Sequence, residues 1–154
     1  MNIKRRQSIK AGGSLALVAA AISAGVLPAS AFANWNKAAF EAKNMADVLK
    51  AMGGASAEKS TDIIITAPDI AENGAVVPVA VASKIANTQS ISILVEKNPS
   101  SLAAEFEILA GTEANVGTRV KMGQSSNIHA VVKAGGKYYV ATKEVKVTLG
   151  GCGG

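Results

Sequence analysis

The chain has 154 residues, 49% hydrophobic and 18% charged, with sixteen lysines and arginines against eleven acidic residues. Its net charge of +5 comes largely from Lys4, Arg5, Arg6 and Lys10; from residue 34 onward twelve basic residues face eleven acidic ones. That near-neutral remainder removes a basic-surface argument for nucleic-acid or membrane binding, and one histidine with one cysteine exclude the usual zinc frameworks.

The N-terminus has the form of an export signal. A basic start precedes an uncharged run from Ala11 to Leu27, and Ala31-Phe32-Ala33 gives a small-x-small cleavage site after Ala33. The apolar run is marginal for a spanning helix, which needs ~20 residues. The stretch "KRRQSIK" points to the twin-arginine route, with Ser8 standing where Phe is usual. An uncleaved N-terminal anchor is the alternative. Residues 1–33 are therefore read as an export signal, 34–149 as one domain and 150–154 as an arm. The mature protein is expected in the periplasm.

Next, "NWNKAAFEAKNMADVLKAMGG" predicts a single helix. Trp35, Ala38, Ala39, Ala42, Met45, Ala46 and Leu49 recur at helical spacing, and Gly53-Gly54 stops the run. The period then changes to two. "TDIIITA", "AVVPVAVAS", "TQSISILVEK", "AAEFEILA", "VGTRVKMG", "SNIHAVVKA" and "KYYVATKEVKVTL" read as strands rich in β-branched residues. In the third of these, Ile91, Ile93 and Val95 face one way and Ser90, Ser92, Leu94 and Glu96 the other, which predicts one buried face. Asn73-Gly74 and Gly135-Gly136 suit tight hairpin turns. Pro78 cannot donate a ladder hydrogen bond, so its strand is expected at an edge or bulged. About seven short strands without helices between them predict an all-β fold: an immunoglobulin-like antiparallel β-sandwich preceded by one N-terminal helix and followed by a flexible C-terminal GGCGG arm.

Catalytic signals are sparse. The sequence has no P-loop and no dinucleotide fingerprint. His129 shares a strand face with Asn127, Val131 and Lys133, with no metal-ligand partner adjacent in sequence, and reads as structural or surface. A Cys–His pair would require the tail to fold back. Glu105 and Glu107 share a strand face and read as solvated. Tyr138-Tyr139 places one ring on each sheet face.

Cys152 remains, third from the end in "GGCGG". An exported protein with one cysteine forms no internal disulfide, so the thiol is left for intermolecular pairing or for chemistry. Three residues beyond Leu149 carry it ~10 Å past the last strand. Gly150, Gly151, Gly153 and Gly154 remove neighbouring β-carbons and give the arm flexibility to enter a narrow site on another protein. The flanking sequence offers no base or helix N-terminus to activate the thiol, so a partner is expected to do so. Fixing five such residues in a partner's channel costs ~5–10 kcal/mol, which favours transient docking.

The GGCGG terminus, the twin-arginine-like leader and "ITAPDIAENGAVVPVAV" between them resemble the SoxY family, the carrier subunits of periplasmic thiosulfate oxidation. The resemblance spans essentially the whole mature chain. It implies that the chain is no enzyme, has no catalytic residue, and binds no haem or metal of its own. It implies that Cys152 holds covalently bound sulfur intermediates. The implied stable partner is a SoxZ-like subunit, forming a heterodimer. The implied transient partners are a c-type haem enzyme that couples thiosulfate, a hydrolase that releases sulfate and, where the organism has one, a molybdenum-haem sulfur dehydrogenase. Two other classes stay open on residues alone. One is an adaptor dimerised through a Cys152–Cys152 disulfide; the other is a thiol enzyme, which lacks a visible base.

Overall fold

The computed structural model describes residues 36–148. The signal at 1–33 and the arm at 150–154, including Cys152, lie outside the described residues.

The described chain starts with two short helices, α1 (Lys37–Glu41) and α2 (Met45–Ala51), where the sequence pattern predicts one. The break has a local cause. Asn44 caps α2: its Oδ1 accepts from the Asp47 N–H at 2.9 Å while its Nδ2 donates to Asp47 Oδ2 at 2.7 Å. The carbonyls freed at the break are taken up by Ser101, whose N–H donates to Ala42 O (3.0 Å) and whose hydroxyl donates to Lys43 O (2.6 Å). The interruption is thus pinned to the sheet below. Ala39, Val48 and Leu49 are the buried helical residues, with Ala42 buried at the break; Ala38 and Ala46, expected on the apolar stripe, are exposed. Gly53 ends α2 as expected: its N–H donates to Lys50 O, and that of Gly54 donates to Leu49 O, a Schellman pair.

Nine strands follow: β1 (Glu58–Lys59), β2 (Ile63–Thr66), β3 (Ile70–Ala71), β4 (Val77–Ser83), β5 (Thr88–Val95), β6 (Leu102–Glu107), β7 (Asn115–Val120), β8 (Ser126–Ala134) and β9 (Lys137–Val147). All seven expected strands are present; β1 and β3 are additions of two residues each. One sheet has the order β1-β9-β8-β5-β6, with β3 also on β9; the other has the order β2-β4-β7. The sheet pairings are antiparallel except at one edge. There β1 and β3 each run parallel to β9, beside Tyr139–Val140 and Lys146–Val147. The fully antiparallel expectation fails at this edge because β1 and β3 are not hairpin partners of β9 but segments distant in sequence.

The two sheets face each other across the main core. Val77, Val79 and Val81 of β4 meet Ile91, Ile93 and Val95 of β5 and Ile128, Ala130 and Val132 of β8. A second apolar cluster lies on the other face of the large sheet, where Leu94, Leu102, Val131, Tyr138 and Val140 pack with Ala39, Val48 and Leu49 of the helices. The helices therefore make a third layer. This corrects the reading of β5 as a strand with one buried face: Ser90 through Val95 are all buried. Its serines tolerate burial because they are small, and Ser92 reaches Met52 Sδ at 4.0 Å.

Two turn and edge expectations also need correcting. β4, which carries Pro78, is the central strand of its sheet, not an edge. Proline is tolerated because β2 pairs with β4 only from Ala80 to Ser83, so Pro78 has a ladder partner on one side alone, opposite Arg119. Asn73-Gly74 is not a hairpin turn, since β3 pairs with β9 and neither residue takes a positive φ. Gly74 is required for closeness instead: a β-carbon there would lie 2.8 Å from Val147 Cγ1 and closer still to the Met122 carbonyl oxygen. By contrast, Gly135-Gly136 joins β8 to β9 with φ of 57° and 78°, as a primed hairpin turn demands.

Gly74→Ala is expected to destabilise the domain by about 1–3 kcal/mol through overpacking. Gly117→Ala, where the added carbon meets nothing within 4 Å, is expected to change stability by under about 0.5 kcal/mol. Urea denaturation of residues 34–154 checks both.

Candidate functional site

The expected arm follows β9 in sequence, so the end of that strand is where it would be rooted. β9 is the longest strand, eleven residues. β8 pairs with it from Lys137 to Val145. Its opposite edge is bonded at the far end, where the Lys146 N–H donates to Asp69 O (2.9 Å) and the Thr148 N–H donates to Ala71 O (3.1 Å). Ser125 completes the hold: the Val147 N–H donates to its Oγ at 2.9 Å, beyond the reach of β8. Hydrogen bonds to the backbone therefore continue on both sides to the last described residues, through the Ser125 hydroxyl on one and the Asp69 and Ala71 carbonyls on the other.

The loop after β3 closes around this root. The Asn73 side chain accepts from the Ala75 N–H at 2.9 Å, an Asx turn. The Met122 N–H donates to Gly74 O at 2.7 Å, and Gly74 lies against Val147. Lys143 Nζ reaches Asp69 Oδ1 at 3.0 Å. Ala71, Gly74, Met122 and Ser125 escaped the sequence reading. Their only signal was the Asn-Gly pair, which suggested a hairpin.

Cys152 is four residues beyond Thr148. An extended tether of that length puts its α-carbon at most ~14 Å from a fixed root. Cys152 and Gly150, Gly151, Gly153 and Gly154 lie outside the described residues, so their arrangement is carried by sequence alone.

The other candidates do not converge on the root. His129 Nδ1 is 2.8 Å from Thr142 Oγ1, and its Nε2 is 3.6 Å from Glu96 Oε2. Glu96 also accepts from Asn127 Nδ2 at 2.8 Å. This is a hydrogen-bonded surface cluster, in line with a structural histidine. Tyr138 and Tyr139 point to opposite faces as expected. Tyr138 is buried under the helices and donates to Met52 O at 2.6 Å; Tyr139 packs against the inter-sheet core. A pocket of about 540 Å³ opens by Thr66, Pro68, Pro78, Ala80, Gly117 and Arg119. Arg119 is its one charged residue, and no carboxylate, histidine or cysteine lines it. Among the described residues no three His, Cys, Asp or Glu side chains cluster to hold a metal, and no helix is long and apolar enough to cross a membrane.

Glu105 departs from the solvated face expected for it. It is half-buried, whereas Glu107 is exposed. Burial raises the Glu105 pKa, the neighbouring Glu107 charge raises it further, and Lys133 opposes both. The neutral form is thus favoured in the fold. The folded chain holds more protons than the unfolded chain between the ordinary value of 4.5 and the raised folded value, and stability falls as pH rises through that window. Glu105→Gln is expected to be more stable than the parent at about pH 7 and to lose that advantage at about pH 4, read as urea midpoints. An equal difference at both pH values contradicts this.

Three comparisons with known proteins bear on the chain. The family model "Sulfur oxidation protein SoxY" matches residues 48–152, two-thirds of the sequence and through the terminal cysteine. No curated protein matches. Among solved structures, the sulfur carrier protein SoxY from Chlorobium limicola f thiosulfatophilum is similar at 44% identity and a TM-score of 0.64, covering 71% of this chain and 96% of that one. A superoxide reductase (neelaredoxin) from Ignicoccus hospitalis is similar at 18% identity and a TM-score of 0.50, covering 56% of this chain and 79% of that one, a likeness of fold alone. The chain belongs to the SoxY family of sulfur oxidation proteins.

Proposed function

We propose that this protein carries sulfur intermediates of thiosulfate oxidation covalently on Cys152, in the periplasm, and presents them to enzymes in turn. The observation that carries the reading is the placement of the one cysteine between glycine pairs, directly after a strand end bonded on both edges. A fixed root with a side-chain-poor tether gives reach without loss of the domain's own order. Family membership and the likeness to a sulfur carrier support it. The two-sheet sandwich is read as immunoglobulin-like, with the helices, β1 and β3 as additions to that plan. A SoxZ-like subunit is the proposed stable partner.

The chemistry suits sulfur. In loading, the Cys152 thiol and the sulfane sulfur of thiosulfate form an S–S bond. The product is Cys152–S–S–SO3⁻, with release of one proton and two electrons. The haem enzyme takes the electrons. In unloading, water attacks the terminal sulfur, sulfate and a proton leave, and a persulfide remains on Cys152. A hydroxyl or amine in that position could not hold the sulfane in exchangeable S–S linkage. A thiol with the usual pKa of ~8.5 is only a few per cent thiolate at neutral pH, so activation falls to the enzyme that receives the arm.

Cys152→Ser is expected to abolish loading while leaving the thermal unfolding curve unchanged. Intact mass after incubation with thiosulfate and the coupling enzyme reads the adduct. Adduct formation on the serine variant would falsify the assignment. A wild-type chain that yields only a reducible dimer would support the adaptor reading instead.

A further inference from the structure

Four large hydrophobic side chains are exposed among the described residues: Ile64, Ile70, Val76 and Leu109. Two of these, Ile70 (58% exposed) and Val76 (49%), belong to the segment that encloses the arm root. Ile70 lies in β3 opposite Lys146 of β9. Val76 is two residues past Gly74, which touches Val147. The segment between them is held by the Asx turn at Asn73, by the bond from the Met122 N–H to Gly74 O, and by the Lys146 and Thr148 bonds to Asp69 and Ala71. The backbone is fixed, yet its two largest aliphatic side chains stay exposed, in the segment bonded to the last described residues.

The tether length decides what can cover them. With Cys152 confined to ~14 Å from Thr148, an enzyme that takes the thiol into a channel must bring its channel mouth closer to the root than that. The mouth then approaches the residues around Thr148, and among the described residues the exposed large apolar side chains of the segment bonded there are Ile70 and Val76. The local charges are mixed: Asp69 pairs with Lys143, while Glu72 and Lys146 are both exposed. They favour neither sign of partner, so apolar contact is the recognisable chemistry. A small apolar contact suits an encounter that must end, since weak transient complexes bury the smaller interfaces.

We propose that Ile70 and Val76 are the seat for an apolar rim around the channel of the enzymes that act on the Cys152 cargo. This rests on the carrier reading. The seat supplies docking contact only and takes no part in the chemistry.

The test uses the mature chain in the assembly in which it is isolated, with the thiosulfate-coupling enzyme. Ile70→Asp/Val76→Asp is expected to raise the KM for the carrier about tenfold, with kcat unchanged. Alkylation of Cys152 by iodoacetamide should keep its wild-type rate, which shows that the thiol itself is as accessible as before. Leu109→Asp, in a still more exposed position just beyond β6 on the opposite edge of the large sheet, should leave KM unchanged. The milder Ile70→Ala/Val76→Ala pair adds no charge and should raise KM in the same direction; it decides the matter should the aspartates disturb the fold. An unchanged KM in the alanine pair overturns the proposal. So does loss of the stable companion subunit with KM unchanged, which would assign this face to that subunit. A wild-type chain that the enzyme cannot load at all overturns the carrier reading, and the seat with it.

Discussion

The structure turns on the end of β9 being bonded on both sides. β8 provides one edge over most of its length, and β1 and β3 cover parts of the other in parallel. At the end of the strand those bonds take up ladder groups that would otherwise invite another chain to pair. They also fix the position of Thr148, the last described residue. A tether is useful only when one end does not move, and here Ala71, Gly74 and Ser125 supply the fixity. The parallel pairing of β3 with β9 thus matters more than its two residues suggest.

The same economy shows in β5. The helices cover one face of the large sheet and the small sheet covers the other, so β5 is buried on both sides. Two layers of apolar contact on a sheet with few aromatic residues give it a core of Ile, Val and Leu. Tyr138 is the exception. Its ring lies under the helices, and its hydroxyl ends on the Met52 carbonyl at the C-terminus of α2. That bond fastens the helical layer to the strand that bears the arm.

Most strands were legible because alternation survives wherever at least one face is buried. β8 and β9 also announced their hairpin through Gly135-Gly136. What escaped has physical reasons. Two-residue strands carry no period, so β1 and β3 had no pattern to show. Parallel pairing between segments far apart in sequence leaves no local turn signal, which is why Asn73-Gly74 was misread. The helix break had a visible cue in Asn44 and Asp47, the spacing of a cap, but helical periodicity on both sides masked it. Burial of Ser90 and Ser92 came from the helical layer, whose docking face cannot be read from β5 itself. The proposed attachment residue was the most legible of all. Cys152 is marked by composition and position, whereas the clamp at its root became evident only in three dimensions.

Chemistry and architecture divide the work. In the proposed reading the domain supplies a rigid origin, the glycines supply freedom, and the thiol supplies a bond that other catalysts can make and break. The most direct measurement is the mass of the C-terminal peptide from protein isolated, without reductant, from cells oxidising thiosulfate. The account predicts sulfonated or persulfide forms confined to the peptide bearing Cys152. A peptide found only as the bare thiol or as a symmetric disulfide would contradict it.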